Sequence, residues 1–562
     1  MEKKAILSNK LFLYMTEFFS GMSVMAVELG ASRLLAPYFS SSQIVWTIII
    51  GTIMIAMALG NIYGGKKADS DPNPDKLYGR IIIAAIWIGL IPVLGKYIIL
   101  AVSGIVILTI NSNFLVIAAF AVCMIVFVFP LFLLGTVTPS LAKYTTDSLE
   151  DNGKIIGTLG AFNTIGSIIG TFVPTFVTIP AVGTAITFLI FAGILLILSI
   201  IYFASSGIKK KDAVKIVSSI LIFALSCGFG YNPSFAFWEK NLTYEGESVY
   251  NYLQVKETPS SVILSTNVLF GVQSVYMKES GLTGMYYDYA MAAPFMTGIR
   301  QKEALKEKNL EVLILGMGSG TYATQLSRYF DNVNIEGVEI DDKITDLAHQ
   351  YFGLSDETKV TTYDGRAYLA ADKNKYDVIM VDAYQDITIP FQMSSSEFFT
   401  MVKEHLSPEG VMVVNMNMYS DEDANDGAGN TVILSNPGVF GTDASSINTY
   451  LADTISSVFD EVIIVDVPGS TNKELFATCG GSMLTRLNND VALEKNDDLK
   501  AMMKRAQGLA IPYTSTGHIM TDDKAPVELL GMRQIDSIIK REVSYYKDIF
   551  KQGGIQALID EM

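Results

Sequence analysis

Three cysteines, three histidines and three tryptophans in 562 residues leave little room for several kinds of chemistry. Cys123, Cys227 and Cys479 are too few for a disulfide framework, and no Cys-x-x-Cys pair occurs. His349, His405 and His518 are scattered, so no zinc centre is expected and no metal is assigned. Bases are also in short supply, 41 against 57 acids, for a net charge of -16. That excludes a nucleic-acid binder driven by bulk charge. A hydrophobic share of 50% excludes a disordered chain.

The charge conflicts with a mean hydropathy of +0.34, which is membrane-like. Dividing the chain near residue 232 resolves the conflict. Up to there it holds 15 bases and 10 acids, net +5; beyond it 26 and 47, net -21. The first part reads as a membrane block (1–232) and the rest as an acidic globular part.

Seven apolar runs are long enough to span a bilayer: 11–31, 44–64, 81–102, 113–136, 155–178, 181–203 and the marginal 213–231. Met1-Glu2-Lys3-Lys4 leads into the first run without a small-residue cleavage site, so a transmembrane helix is expected there, not a removed signal. Lysine and arginine gather in alternate loops, with Lys66, Lys67, Lys76 and Arg80 in one, Lys143 and Lys154 in the next, and Lys209–Lys211 with Lys215 in the third. The positive-inside rule puts these loops and the N-terminus in the cytoplasm. Seven spans would then leave the C-terminal part outside, and six would keep it inside with 213–231 lying at the interface or re-entering; the sequence leaves the side open. Glu17 and Glu28 fall in the first span, where a carboxylate must face protein or water. They mark either a cation path or structural pairing, for example of Glu28 with Arg33. Gly157, Gly160, Gly166 and Gly170 recur at close helical spacing and predict tight helix packing.

From about 240 to 275 the residues alternate in period two, as in Tyr244–Val255, and predict a small β-rich region (domain boundaries 233–295). Strands and helices then alternate: strand 311–316, helix 320–330, strand 334–340, helix 342–352, strand 359–362, helix 365–371, strand 376–382, helix 395–406, strand 410–416. This is the pattern of a doubly wound, Rossmann-like parallel sheet over 296–562. The first strand runs into Gly316-Met317-Gly318-Ser319-Gly320. Such a turn between strand and helix lets a ligand approach backbone N–H groups. Glu339 ends the next strand, where an acid can accept from ribose hydroxyls. Asp364-Gly365 follows the third strand, within reach of an adenine amine, and Asp382 ends the fourth. All stand at carboxyl ends of strands, where open α/β sheets bind ligands. The stretch 420–445 predicts a long loop, and 533–562 a charged helix.

These residues resemble the spermidine synthase (polyamine aminopropyltransferase) family over roughly 244–420. The chain as a whole resembles that family's membrane-fused branch, through Glu28-Leu29-Gly30-Ala31-Ser32-Arg33, Gly64-Gly65-Lys66-Lys67, Thr138-Pro139-Ser140 and Thr521-Asp522-Asp523-Lys524-Ala525-Pro526. The resemblance implies a co-substrate, decarboxylated S-adenosylmethionine, whose aminopropyl group moves to a small cationic amine or polyamine. Gly316, Gly318, Ser319, Gly320, Glu339, Asp364 and Gly365 would bind that co-substrate. Asp382 and Tyr287 would be catalytic, and Gln273, Asp288, Gln385 and Asp386 would bind the amine. The resemblance also implies a homodimer, and the apolar runs imply a lipid bilayer as partner and a multi-pass protein of the cell membrane.

The sequence departs from the family in two places that bear on specificity. Ser319 replaces the acid that binds the amine of the decarboxylated co-substrate and repels the carboxylate of the intact one. Gln385 replaces a polyamine-binding acid. Three functions therefore stay open: a membrane-anchored aminopropyltransferase, a transferase of intact S-adenosylmethionine such as a methyltransferase, and a transporter or sensor whose synthase-like part only binds ligand.

Overall fold

The computed structural model describes residues 5–39, 41–110, 113–145, 152–205, 210–231, 234–239, 241–268, 272–279, 281–298, 309–383, 389–417, 447–470 and 472–533, with 544, 548–549 and 551–554. The expected loop at 420–445, nearly all of the expected helix at 533–562, and Gln385 and Asp386 lie outside them. The chain forms two compact units, one of residues 1–239 with short stretches near 245–252 and 267–269, the other of the rest.

The first unit is helical. Its elements are α1 (Lys10–Phe39), α2 (Gln43–Ser70), α3 (Pro74–Thr109), α4 (Phe114–Val126), α5 (Val128–Gly135), α6 (Val137–Thr145), α7 (Asn152–Val173), α8 (Ile179–Ala204) and α9 (Lys210–Gly230). Among the described residues, five helical stretches are long and apolar enough to cross a membrane, or six when the bent pair 114–126 and 128–145 counts as one. One of the five runs 53 residues, 152–204. At 1.5 Å per residue that is about 80 Å, against a hydrocarbon core of about 30 Å. Gly183, at φ 80° and ψ 168°, breaks it. All seven apolar runs of the sequence are therefore helical. Starts are set locally, as where Asn73 caps α3 and Pro74 occupies its first turn. Gly166 and Gly170 lie against the α1 backbone at Phe18 and Met22, leaving no room for a side chain. Gly157 and Gly160 have open space instead, so only half of the expected glycine set packs helices.

Past residue 240, β1 (Leu242–Glu247), β2 (Tyr252–Glu257), β3 (Ser261–Ser265) and β4 (Ser274–Met277) form a four-stranded sheet in chain order. Two short helices follow, α10 (Tyr286–Ala290) and α11 (Ala292–Met296). The alternating part is β5 (Leu310–Leu315), α12 (Thr321–Tyr329), β6 (Val333–Glu339), α13 (Asp342–Tyr351), β7 (Lys359–Thr362), α14 (Gly365–Ala371), β8 (Tyr376–Val381), α15 (Ser396–His405) and β9 (Leu406–Asn417). It ends with α16 (Ile447–Ser456), β10 (Glu461–Asp466), β11 (Asn472–Thr478), α17 (Met483–Leu493), α18 (Asp497–Leu509) and β12 (Ala510–Pro512).

The large sheet has the order β12-β10-β11-β9-β8-β5-β6-β7. Its β7-to-β9 portion is parallel, as the sequence predicts. The other edge is not: β11 runs antiparallel to β9 and to β10, and β12 antiparallel to β10. A hairpin such as β10–β11 needs only a short turn, whereas parallel neighbours need a crossover helix. Both faces are covered. Val312, Ile314, Val378, Met380, Val411 and Val413 face one core, and Leu313, Leu315, Ile379, Val381, Met412 and Val414 the other. That double burial explains why these strands read as unbroken apolar runs.

Candidate active site

Strand order reverses beside β5, whose neighbours are β6 and β8, so the crevice opens at the carboxyl ends of these strands. The registers Leu315↔Val338, Leu315↔Val381, Val381↔Val414 and Glu474↔Asn415 align one row across the sheet. Continued by one residue, that row reads Glu339, Gly316, Asp382, Asn415 and Glu474.

The glycine turn is built by positive φ values, 84° at Gly316, 54° at Gly318 and 77° at Gly320. At Gly316 a side chain would meet the Asp382 carbonyl and the Ala383 amide. The close approach of the two strand ends therefore requires glycine. Gly320 is the N-cap residue of α12. Glu339 is buried, accepting from the Gly318 amide at 2.9 Å and the Asp341 amide at 3.1 Å. Burial pushes its pKa up, against the pull of those amides. A carboxylate has about four lone-pair sites, so Glu339 keeps capacity for hydroxyl donors while it fixes the turn.

Ser319 is buried and faces inward. Its amide donates to Ser274 Oγ at 3.2 Å, and its hydroxyl pairs with Thr321 Oγ1 at 3.0 Å. Asp364 caps α14 by accepting from the Ala367 amide at 2.8 Å. Gly365 opens that helix, and a side chain there would press on Met393. The next residue, Arg366, makes a bidentate pair with Asp522, at 2.7 and 2.6 Å. Ser395 adds a third hydrogen bond to Asp522, at 2.6 Å. The Thr521–Pro526 motif thus clamps the helix that begins at Asp364 and Gly365.

Asp382 receives two hydrogen bonds, from Tyr286 Oη at 2.7 Å and Asn415 Nδ2 at 3.0 Å. Asn472 Nδ2 in turn donates to Asn415 Oδ1 at 2.8 Å. Burial outweighs both donors to Asp382, and its pKa is pushed up to about 7.

The tyrosine on Asp382 is Tyr286, the neighbour of the candidate Tyr287. Tyr287 packs against Tyr286, with ring centroids 3.9 Å apart and planes tilted by 34°, and points its hydroxyl at the Gln273 carbonyl, 3.4 Å away. Gln273 thereby enters through its backbone, and its own amide donates to Leu264 O. Asp288 is the other candidate in this run. It is fully buried and braces its own turn, accepting from the Thr283 amide and hydroxyl and from the Gly284 amide at 3.1, 3.0 and 2.7 Å. Sequence reasoning missed Tyr286, Asn415, Asn472 and Glu474. Asn415 carried a usable signal, a polar residue ending an apolar strand beside Asp382. Among the described residues no cluster of three or more His, Cys, Asp or Glu side chains could hold a metal.

The fold is a Rossmann-like sheet with a row of polar strand ends at its crevice. Residues 301–426 match the spermine/spermidine synthase domain. A probable polyamine aminopropyl transferase of Bifidobacterium longum is 51% identical over 379 residues, covering 64% of this chain and 77% of that protein. A polyamine aminopropyltransferase of Vibrio vulnificus is 26% identical over 309 residues, covering 54% and 90%. A human eEF1A lysine and N-terminal methyltransferase is 34% identical over 132 residues, covering 21% and 19%. The chain belongs to the polyamine aminopropyltransferase family and is an enzyme of that kind.

Proposed function

We propose that this protein is a membrane-anchored aminopropyltransferase that moves the aminopropyl group of decarboxylated S-adenosylmethionine to a small cationic amine or polyamine. The observation that carries the reading is the row in which Gly316 separates Glu339 from Asp382. Glu339 and the N–H groups of the glycine turn hold the ribose side, with Asp364 and Gly365 at the adenine. Asp382 stands on the other side, where the amine arrives.

The reaction is a displacement at the carbon beside the sulfonium. The neutral amine nitrogen forms the new C–N bond, the C–S bond breaks, and its electron pair stays on sulfur as the thioether of methylthioadenosine. The acceptor arrives as an ammonium, so the Asp382 carboxylate, with a pKa of about 7, holds it in line and takes one proton before the attack; the product nitrogen leaves as a secondary ammonium. Tyr286 and Asn415 fix both carboxylate oxygens, so little reorganisation is needed as charge moves.

The test is incubation of the purified full-length protein with decarboxylated S-adenosylmethionine and a panel of diamines and polyamines. Methylthioadenosine and a lengthened amine are the expected products. Ser319 favours a second reading, transfer from intact S-adenosylmethionine, because the turn lacks an acid to repel a carboxylate. S-adenosylhomocysteine formed from the intact co-substrate, with no methylthioadenosine from the other, would replace the first reading with the second.

The multi-pass membrane location is part of the proposal and rests on the apolar helices. Glu17 favours a task of its own for the helical unit, amine transport. It is fully buried, accepts from Thr138 and Asn163 at 2.5 and 2.7 Å, and leaves Oε2 without a hydrogen bond. Amine flux in proteoliposomes that Glu17→Gln abolishes would add transport to catalysis.

A further inference from the structure

Glu474 is the one member of the polar row that the scheme above leaves without a task. It lies on β11 opposite Asn415. Its side chain is fully buried, and neither carboxylate oxygen has a hydrogen bond. Buried polar groups in native proteins are nearly always paired, so a buried carboxyl with both oxygens idle calls for a reason.

Its placement supplies one. Directly paired residues of neighbouring strands point to the same face. Asn415 sends its side chain to Asp382, and Asn472, two residues before Glu474 on β11, sends its side chain to Asn415. Glu474 therefore shares the face of Asp382, two strands away. At about 4.8 Å per strand the two α-carbons are about 10 Å apart. Burial raises the Glu474 pKa, and the charge of Asp382 adds to the rise. Two neighbouring acids of this kind are poised for a ligand that brings more than one positive charge.

We propose that Glu474 binds the second, non-reacting ammonium group of the acceptor and so selects diamines and polyamines over monoamines. This rests on the aminopropyl-transfer reading above. A 1,4-diamine spans about 6 Å between nitrogens, five bonds of about 1.5 Å in zigzag. That length fits between two side chains reaching inward from strands about 10 Å apart. Asn415 lies between them and keeps the two acids from meeting. Glu474 acts on specificity and positioning, and Asp382 remains the group at the reacting nitrogen. The acid comes from the antiparallel edge of the sheet.

The experiment compares 1,4-diaminobutane with n-butylamine, by calorimetry on the full-length protein saturated with methylthioadenosine. Wild type is expected to bind the diamine at least 30-fold more tightly. In Glu474→Gln that ratio falls below about 3-fold, and Glu474→Asp restores part of it. Methylthioadenosine binding by each variant reports that the fold is intact. A general packing defect would weaken both amines together and leave the ratio in place. Discrimination retained in Glu474→Gln would overturn the assignment while leaving aminopropyl transfer standing. A wild-type protein that binds no amine and forms no methylthioadenosine would remove the functional reading itself, and this inference with it.

Discussion

Tyr286 donates its phenolic hydrogen to Asp382 across 2.7 Å, while its neighbour Tyr287 turns to a backbone carbonyl. The two differ by one position in the run Tyr286-Tyr287-Asp288-Tyr289 and by the partner each hydroxyl takes. Removing the donor from Asp382 withdraws a bond that favours its charged form, so its pKa rises further. Tyr286→Phe is expected to lower kcat at pH 7 roughly 10-fold or more and to move the acid limb of the pH–rate profile to higher pH. Tyr287→Phe should leave the limb in place. Parallel profiles of the two variants check the assignment.

Asp382 also shapes stability. The unfolded chain releases this proton near pH 4, whereas the folded protein holds it up to about 7. Between those values the folded state binds more protons, so this group's contribution makes unfolding easier as pH rises, and it levels off above 7. Tyr286, Tyr287, Asn415 and Glu474 surround the group, and Glu474 titrates in the same direction. Comparison of wild type with Asp382→Asn isolates the one carboxyl. The variant should be more stable at pH 8, by on the order of 1 kcal/mol, with a shallower decline above pH 4. Its activity should drop by roughly 10²–10⁴. Thermal melts across pH 4 to 8 measure both slopes.

Gly316→Ala tests the close approach of β5 and β8. A methyl group there would lie 2.5 Å from the Asp382 carbonyl oxygen and 2.7 Å from the Ala383 amide nitrogen, at a φ of 84°. Left-handed geometry and overpacking together cost roughly 2–3 kcal/mol. The expected outcome is a lower denaturation midpoint and loss of co-substrate binding, read by urea titration and calorimetry on one preparation.

The alternating strands and helices from β5 to β9 were legible to within a few residues, because double burial makes apolar strands and amphipathic helices easy to tell apart. Gly316, Glu339 and Asp382 were legible for the same reason: each ends an apolar strand. Tyr286 was not, since a helical turn decides which of two adjacent rings meets the acid. Glu474 was hidden because the antiparallel edge strands begin beyond a long stretch without periodicity, and only register places β11 beside β9. The engagement of Asp288 with its own turn was not legible, because an acid in an aromatic run looks available until that turn is seen.

Asp522 is predicted to hold the co-substrate helix in place from a distance in sequence. The Arg366 guanidinium keeps its pKa down, at about 2. The clamp is thus intact above the ordinary carboxylate range and is lost as pH falls through about 2. Both partners are partly exposed, so Asp522→Asn should cost only about 1 kcal/mol of stability. Its larger effect should fall on co-substrate affinity, several-fold weaker by calorimetry, because Arg366 lies two residues from Asp364.

Cys479 offers a test of membrane topology without engineering. It is exposed, whereas Cys123 is buried and Cys227 half-buried. An aminopropyltransferase fed by a cytosolic co-substrate needs its catalytic unit in the cytoplasm. Given a cytoplasmic N-terminus and lysine-rich loops inside, that side requires an even number of crossings, with α9 lying along the interface. Cys479 should then resist a membrane-impermeant maleimide in intact cells and react once they are permeabilised. Labelling in intact cells would instead make α9 a seventh crossing and put the nucleoside crevice outside, away from the co-substrate, which favours ligand sensing over transfer.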